Sequence, residues 1–183
     1  EERPSAKTMS PSRLDQDDLP GLSPLIGDDG ARFRRGNAIH RLLEVLPDVP
    51  LKNRERAARA YLTRGDLGFN EDEVTEITGE TLHVLTDAEF AEAFGPGSLA
   101  EVPIAGKVGD IVISGQIDRL VISDDQILIV DYKTNRDPPK SEKEIPEVYI
   151  RQMAAYRAAL KEIYPKVPVR CALLWTSAAV LMK

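Results

Sequence analysis

The stretch Gly115–Lys133, GQIDRLVISDDQILIVDYK, decides the fold. It reads as two β-branched runs, Gly115–Ser123 and Gln126–Lys133, joined at Asp124-Asp125, and a pair of turn-forming residues between two such runs marks a hairpin. With those aspartates as the loop, Ser123 faces Gln126, Leu120 faces Ile129, Ile122 faces Ile127, and Asp118 lands opposite Asp131. The shared face is apolar near the turn and charged at the open end. Ile117, Val121, Leu128 and Val130 are assigned to the other face, so the hairpin is expected at the centre of a sheet covered on both sides.

Opposed side chains on one sheet face lie about 5 Å apart, and like charges placed there repel. Lys133, two residues beyond Asp131, shares its face. Two carboxylates and an ammonium suit phosphodiester hydrolysis. The carboxylates hold a divalent cation that polarises a phosphoryl oxygen and lowers the pKa of water, while the ammonium orients the nucleophile or steadies developing charge. The same residues also fit a hairpin in which Arg119, Lys133 or another base neutralises Asp118 and Asp131 in plain salt bridges. The hairpin alone leaves both readings open.

With 183 residues, 42% hydrophobic and 30% charged, the chain fits one globular domain, with or without an arm. No apolar run approaches the roughly 20 residues that span a membrane, and no signal-peptide pattern opens the sequence. It starts at Glu1 rather than Met, which fits either a fragment of something larger or a processed chain. A single cysteine, Cys171, excludes an intrachain disulfide framework or a cysteine metal cage and is expected to pack in the core. The balance of 24 Lys+Arg against 30 Asp+Glu, net −6, argues against a domain that grips nucleic acid by charge alone.

Residues 1–30 hold Pro4, Pro11, Pro20, Pro24 and several serines without periodicity, and are expected to form a poorly ordered arm or linker ahead of a domain over 31–183. A helix follows, with Ile39, Leu42, Leu43 and Leu46 at helical spacing until Pro47. A second runs from an Asn53 N-cap to Arg64, a third follows Asn70, and a short fourth opens at the capping-box pattern Thr86–Glu89 and closes at Gly95. Leu99–Ala105 and Lys107–Ile113 then read as strands leading into the hairpin. A long helix from Ser141 or Pro146 to Tyr164 carries a packing stripe of Met153, Tyr156, Leu160 and Ile163, and Val167–Thr176 and Ala179–Met182 finish the chain as strands. The order gives an α/β (α+β) fold with a mixed central sheet flanked by helices.

Taken singly, the other polar residues stay ambiguous. His40 fits a metal ligand, a base or a helix-edge residue; Glu101 fits a further carboxylate of the cluster or a partner for Lys107; His83 reads as a helix-surface residue. Gln152 and Tyr156, four apart on one helix face, could meet a nucleic-acid backbone or be ordinary helix residues. The sequence has no phosphate-binding G-x-x-x-x-G-K-[ST], no G-x-G-x-x-G and no G-x-S-x-G.

In order, Gly36-Asn-Ala-Ile-His40, Asp118 in GQIDRL, Asp131-Tyr132-Lys133 after ILIV, and Gln152-Met-Ala-Ala-Tyr156 resemble the motif series of RecB-type nucleases in the PD-(D/E)xK superfamily. The phrases RRGNAIHRLLE, SGQIDRL, IVDYKTN and RQMAAYRAAL are similar to the C-terminal nuclease domain of AddA-type helicase–nuclease subunits, which act in bacterial double-strand-break repair. The resemblance covers Arg32 to the C-terminus and implies a restriction-endonuclease-like core. It assigns metal coordination to His40, Asp118, Asp131 and the Tyr132 carbonyl, with Lys133 as the catalytic lysine. It also associates Glu101, Gln152 and Tyr156 with the active site and the DNA strand. It implies a cytoplasmic DNase using Mg²⁺, with Mn²⁺ as a substitute, and cutting single-stranded DNA supplied by the helicase region of the same parent chain, alongside an AddB-like second subunit. Relatives that carry an iron–sulfur cluster use four cysteines, so none is expected here. A nuclease-like domain that holds DNA or a partner without cutting is the alternative.

Overall fold

The computed structural model describes residues 7–9 and 29–183. Among the described residues four α-helices follow one another between 29 and 94: α1 (Asp29–Val45), α2 (Leu51–Leu62), α3 (Glu71–Thr86) and the short α4 (Ala91–Phe94). The sheet holds β1 (Lys7–Met9), β2 (Ser98–Val108), β3 (Ile111–Ile122), β4 (Ile127–Lys133), β5 (Val169–Trp175) and β6 (Val180–Met182), with α5 (Glu147–Ile163) between β4 and β5. Strand order is β2-β3-β4-β5-β6, with β1 also on β3. The β1–β3 and β4–β5 pairs are parallel and the rest antiparallel, so the sheet is mixed and its helices flank it as the element order required. Among the described residues no helix is long and apolar enough to cross a membrane.

The β3–β4 hairpin has the expected register, with Leu120 opposite Ile129 and Ile122 opposite Ile127. Every residue of β4 is buried, including Asp131 and Lys133. One apolar layer sits between the sheet and α1–α4, with Ile39, Leu42 and Leu43 against Leu128, Val130 and Leu174. The other sits under α5, with Met153, Tyr156 and Leu160 against Ile117, Ile127 and Ile129.

Alternation along β3 fails once, at the site. Val121 packs on the α1 side, as do Leu128 and Val130, but Ile117 packs on the α5 side with Leu120, only three residues on. The expectation that Ile117 shares a face with Val121 is therefore wrong. The reason lies across the ladder: the β2–β3 register is continuous except at Glu101 and Asp118, which drop out of it, and Glu101 adopts φ 50. A left-handed residue in mid-strand interrupts the pleat and lets both strands exchange faces.

Other differences concern boundaries. β2 and β3 form one long hairpin that turns at Gly109-Asp110, where Gly109 has φ 59, instead of breaking at Gly106. Gly106 lies within β2, facing α5, where a Cβ would make an ordinary contact with the Ala159 side chain at 3.9 Å. Pro50 precedes α2, leaving Asn53 inside its first turn rather than at the cap. Asn70 does cap α3, in a reciprocal box with Glu73. Thr86 ends α3, and Asp87 instead caps the turn leading to α4 by accepting from the Glu89 N–H. Ile163 is 55% exposed and leaves the α5 packing stripe. The arm expected over 1–30 falls largely outside the described residues, of which Lys7–Met9 pair with β3 and Asp29 already begins α1.

Candidate active site

The end of β4, the irregular point of β2–β3, and one face of α1 enclose a cavity of about 660 Å³. α1 passes close to the end of β4 at residue 36, where a Cβ would lie 3.0 Å from Thr134 Oγ1, tight enough that the threonine side chain would have to give way. Arg35 secures the same approach, donating from Nη1 to the Thr134 carbonyl at 3.1 Å while pairing with Glu80 of α3. One turn after Gly36, His40 faces β3 and β4.

His40, Glu101 and Asp118 each offer a ligand atom, and those atoms lie within 4.8 Å of one another. His40 Nδ1 is 3.4 Å from Asp118 Oδ1. Asp118 Oδ2 accepts from the Tyr132 backbone N–H at 2.6 Å, which links β3 to β4 just where side chains take over from the regular ladder. Burial opposes the imidazolium, but the Asp118 carboxylate, helped by Asp131 and Glu101, outweighs it and holds His40 at about 9. Burial and the neighbouring Asp118 carboxylate push Glu101 up from the usual carboxylate range, with His40 pulling the other way. A hard cation answers all three residues, since it takes oxygen and imidazole donors and relieves the mutual repulsion of the carboxylates.

Asp131 and Lys133 line the same cavity from β4. Lys133 Nζ lies 3.0 Å from Asp131 Oδ2, donates to Gln152 Oε1 at 3.1 Å, and stands 3.7 Å over the centre of the Tyr149 ring. Both members of the pair are almost fully buried, so the ammonium is held by a carboxylate, an amide and an aromatic face in place of water.

The cavity thus gathers His40, Glu101, Asp118, Asp131, Tyr132, Lys133 and Gln152 from the residues singled out in the sequence. Tyr156 is fully buried, is absent from the cavity lining, and is linked to the site through Gln116. Its hydroxyl donates to the Gln116 carbonyl, and the Gln116 side chain donates to Glu101 Oε2 at 2.7 Å. The Tyr132 ring packs edge-on against His40 while its hydroxyl oxygen accepts from Arg119, and burial raises the phenol far above the usual range. Gln116 and Tyr149 escaped the sequence reading, and Arg119, read there as a salt-bridge partner for the two aspartates, instead donates to the Tyr132 hydroxyl, Ser98 Oγ and the Leu43 carbonyl. Tyr149 was detectable as the residue one turn before Gln152, whereas Gln116 depends on the break at Glu101, which no periodicity announces.

A family model described as the PD-(D/E)XK nuclease superfamily matches residues 17–179. The chain belongs to that superfamily. None of the curated proteins compared is significantly similar in sequence. Among solved structures, the crystal structure of SSO0001 is 14% identical, covers 83% of this chain and 75% of its own, and superposes with a TM-score of 0.33. That of protein VC1899 from Vibrio cholerae is 11% identical at a TM-score of 0.30; 85% of this chain is covered, but only 48% of VC1899. The acidic cluster and the buried Asp131–Lys133 pair of this superfamily member sit together at the open end of the central hairpin.

Proposed function

We propose that this domain is the metal-dependent DNase module of an AddA-type helicase–nuclease, hydrolysing phosphodiesters of unwound single-stranded DNA during recombinational repair of double-strand breaks. The observation that carries the reading is the convergence of His40, Glu101 and Asp118 within 4.8 Å, beside the Asp131–Lys133 pair in one cavity. The RecB-type motif series supports the finer assignment, as does the net charge of −6, which suits a domain that receives a strand rather than capturing duplex by itself.

Asp118, Asp131 and His40, with the Tyr132 carbonyl, would hold Mg²⁺ or Mn²⁺, and Glu101 adds a carboxylate. When bound, such a cation supplies Lewis-acid polarisation of a phosphoryl oxygen and a lower pKa for water. The remaining work belongs to the chain's own groups. Lys133 presents a fixed ammonium to the scissile phosphate and steadies the charge that builds there. Gln152 and Tyr149 keep that ammonium aimed, and Gln116 holds the Glu101 carboxylate in place. Strand separation by ATP hydrolysis belongs to the helicase region of the parent chain, with an AddB-like subunit as partner.

The test is cleavage of single-stranded DNA with Mg²⁺ by the parent, Asp131→Ala and Lys133→Ala, each checked for folding by circular dichroism. Loss of about 10²- to 10³-fold in rate in both variants is expected. A parent that binds Mg²⁺ and DNA yet leaves the strand intact, in the isolated domain and in the full helicase chain, would replace this reading with the DNA-holding one.

A further inference from the structure

The outer face of α1 carries a feature that hydrolysis itself does not use. Phe33 is 64% exposed, yet it lines the active-site cavity. Asn37 and Arg41 follow at successive turns on the same face, are exposed, and line the same wall, ending beside His40. Arg41 is held by Glu44 at 2.5 Å. Exposing a phenyl ring to water costs free energy, and here the ring borders a cavity whose floor is carboxylates and an ammonium. A ligand that suits this wall has a phosphate at one end and a flat apolar surface at the other.

We propose that Phe33 is the stacking platform for an unpaired base of single-stranded DNA, a few nucleotides from the phosphodiester at the cavity floor. This rests on the nuclease reading above and deepens it. His40 lies seven residues from Phe33, about 10 Å along the helix axis, which is about three steps of a stacked strand at roughly 3.4 Å each. In a duplex both faces of every interior base are covered by its neighbours, so Phe33 finds no partner there. In a single strand a base can leave its neighbours and stack on the ring, while Asn37 and Arg41 meet the intervening backbone. The α1 wall therefore selects single strands, and does so independently of sequence.

The test uses the whole chain with oligothymidylate, comparing the parent with Phe33→Ala, Phe33→Leu and Phe33→Trp. Stacking predicts that KM rises about 5- to 150-fold in Phe33→Ala and Phe33→Leu, with kcat within about twofold, while Phe33→Trp stays near the parent. The introduced indole is also a reporter, because the chain's one native tryptophan, Trp175, is 1% exposed and shielded from ligand. With Ca²⁺ replacing Mg²⁺, the indole emission of Phe33→Trp should be quenched by oligothymidylate and left unchanged by a blunt duplex of equal length. An unchanged KM in Phe33→Ala, parent-like behaviour of Phe33→Leu, or an unresponsive indole in Phe33→Trp at saturating strand would overturn the stacking role and leave the nuclease reading intact. A parent that neither binds nor cuts the strand would overturn both.

Discussion

Asp118 accepts a hydrogen bond from the Tyr132 main-chain N–H at 2.6 Å, so one side chain both joins β3 to β4 and supplies an oxygen to the ligand cluster. The two duties separate under substitution. Asp118→Asn keeps an acceptor for the amide but loses the charge; it should keep the strand link, lose the stabilisation that charge gives the His40 imidazolium, and lose Mg²⁺ binding and most cleavage. Asp118→Ala should lose both and leave the Tyr132 N–H unpaired, at a cost of about 1–3 kcal/mol. Urea denaturation in EDTA, beside Mg²⁺ titration calorimetry, distinguishes the two. Equal stability of the Ala and Asn variants would count against the structural duty.

The His40–Asp118 contact makes the metal-free protein sensitive to pH. His40 is raised from 6.5 to about 9 in the folded state, against burial, by Asp118 foremost among its neighbours. A raised imidazole stabilises the fold fully below about pH 6.5 and ceases to do so as pH climbs through about 9. In EDTA, the Tm difference between parent and His40→Gln should be largest near pH 6 and should shrink towards zero by pH 9.5. A difference that grows with pH would mean that His40 is neutral when folded.

The closeness of α1 to β4 predicts a coupling between Gly36 and Thr134. Alanine in a helix is favoured over glycine by about 1 kcal/mol, but a Cβ at 36 meets Thr134 Oγ1 at 3.0 Å. Gly36→Ala alone should therefore gain little or lose stability, whereas in a Thr134→Ala background the full helix gain should appear. A double-mutant cycle by thermal denaturation measures the coupling, and additivity within about 0.3 kcal/mol would show that α1 has room to move.

How much of this was legible depends on which signal each residue left. The central hairpin and its register followed from β-branched runs and two turn aspartates, and Asp131 and Lys133 followed from period two. His40 and Gln152 were legible only through the motif series, because a polar residue on a helix carries no sign of what faces it. Glu101 and Ile117 show the limit. Their placement depends on a left-handed backbone at a residue other than glycine, and the sequence offers no marker for it. Gly106 misled because a glycine was read as a break, whereas here it continues β2 and the turn comes at Gly109.

Arg119 yields the last prediction. It is 4% exposed and its guanidinium donates to the Leu43 carbonyl near the end of α1 at 2.5 Å, to Ser98 Oγ at 3.1 Å and to the Tyr132 hydroxyl at 3.2 Å, with Phe94 under its face at 5.1 Å. A cation at a helix C-terminus is favoured by the helix dipole, and the planar fork reaches three acceptors at once. Lysine cannot reproduce that fork. Arg119→Lys should cost about 2–3 kcal/mol, since at least one charge-assisted hydrogen bond is lost and buried acceptors are left unmet. Because Arg119 ties the helix carrying His40 to the strands carrying Asp118 and Asp131, the same variant should bind Mg²⁺ more weakly at temperatures where it is still folded. Weaker binding with unchanged stability, or lost stability with parent-like binding, would separate the clamp from the site it is argued to hold.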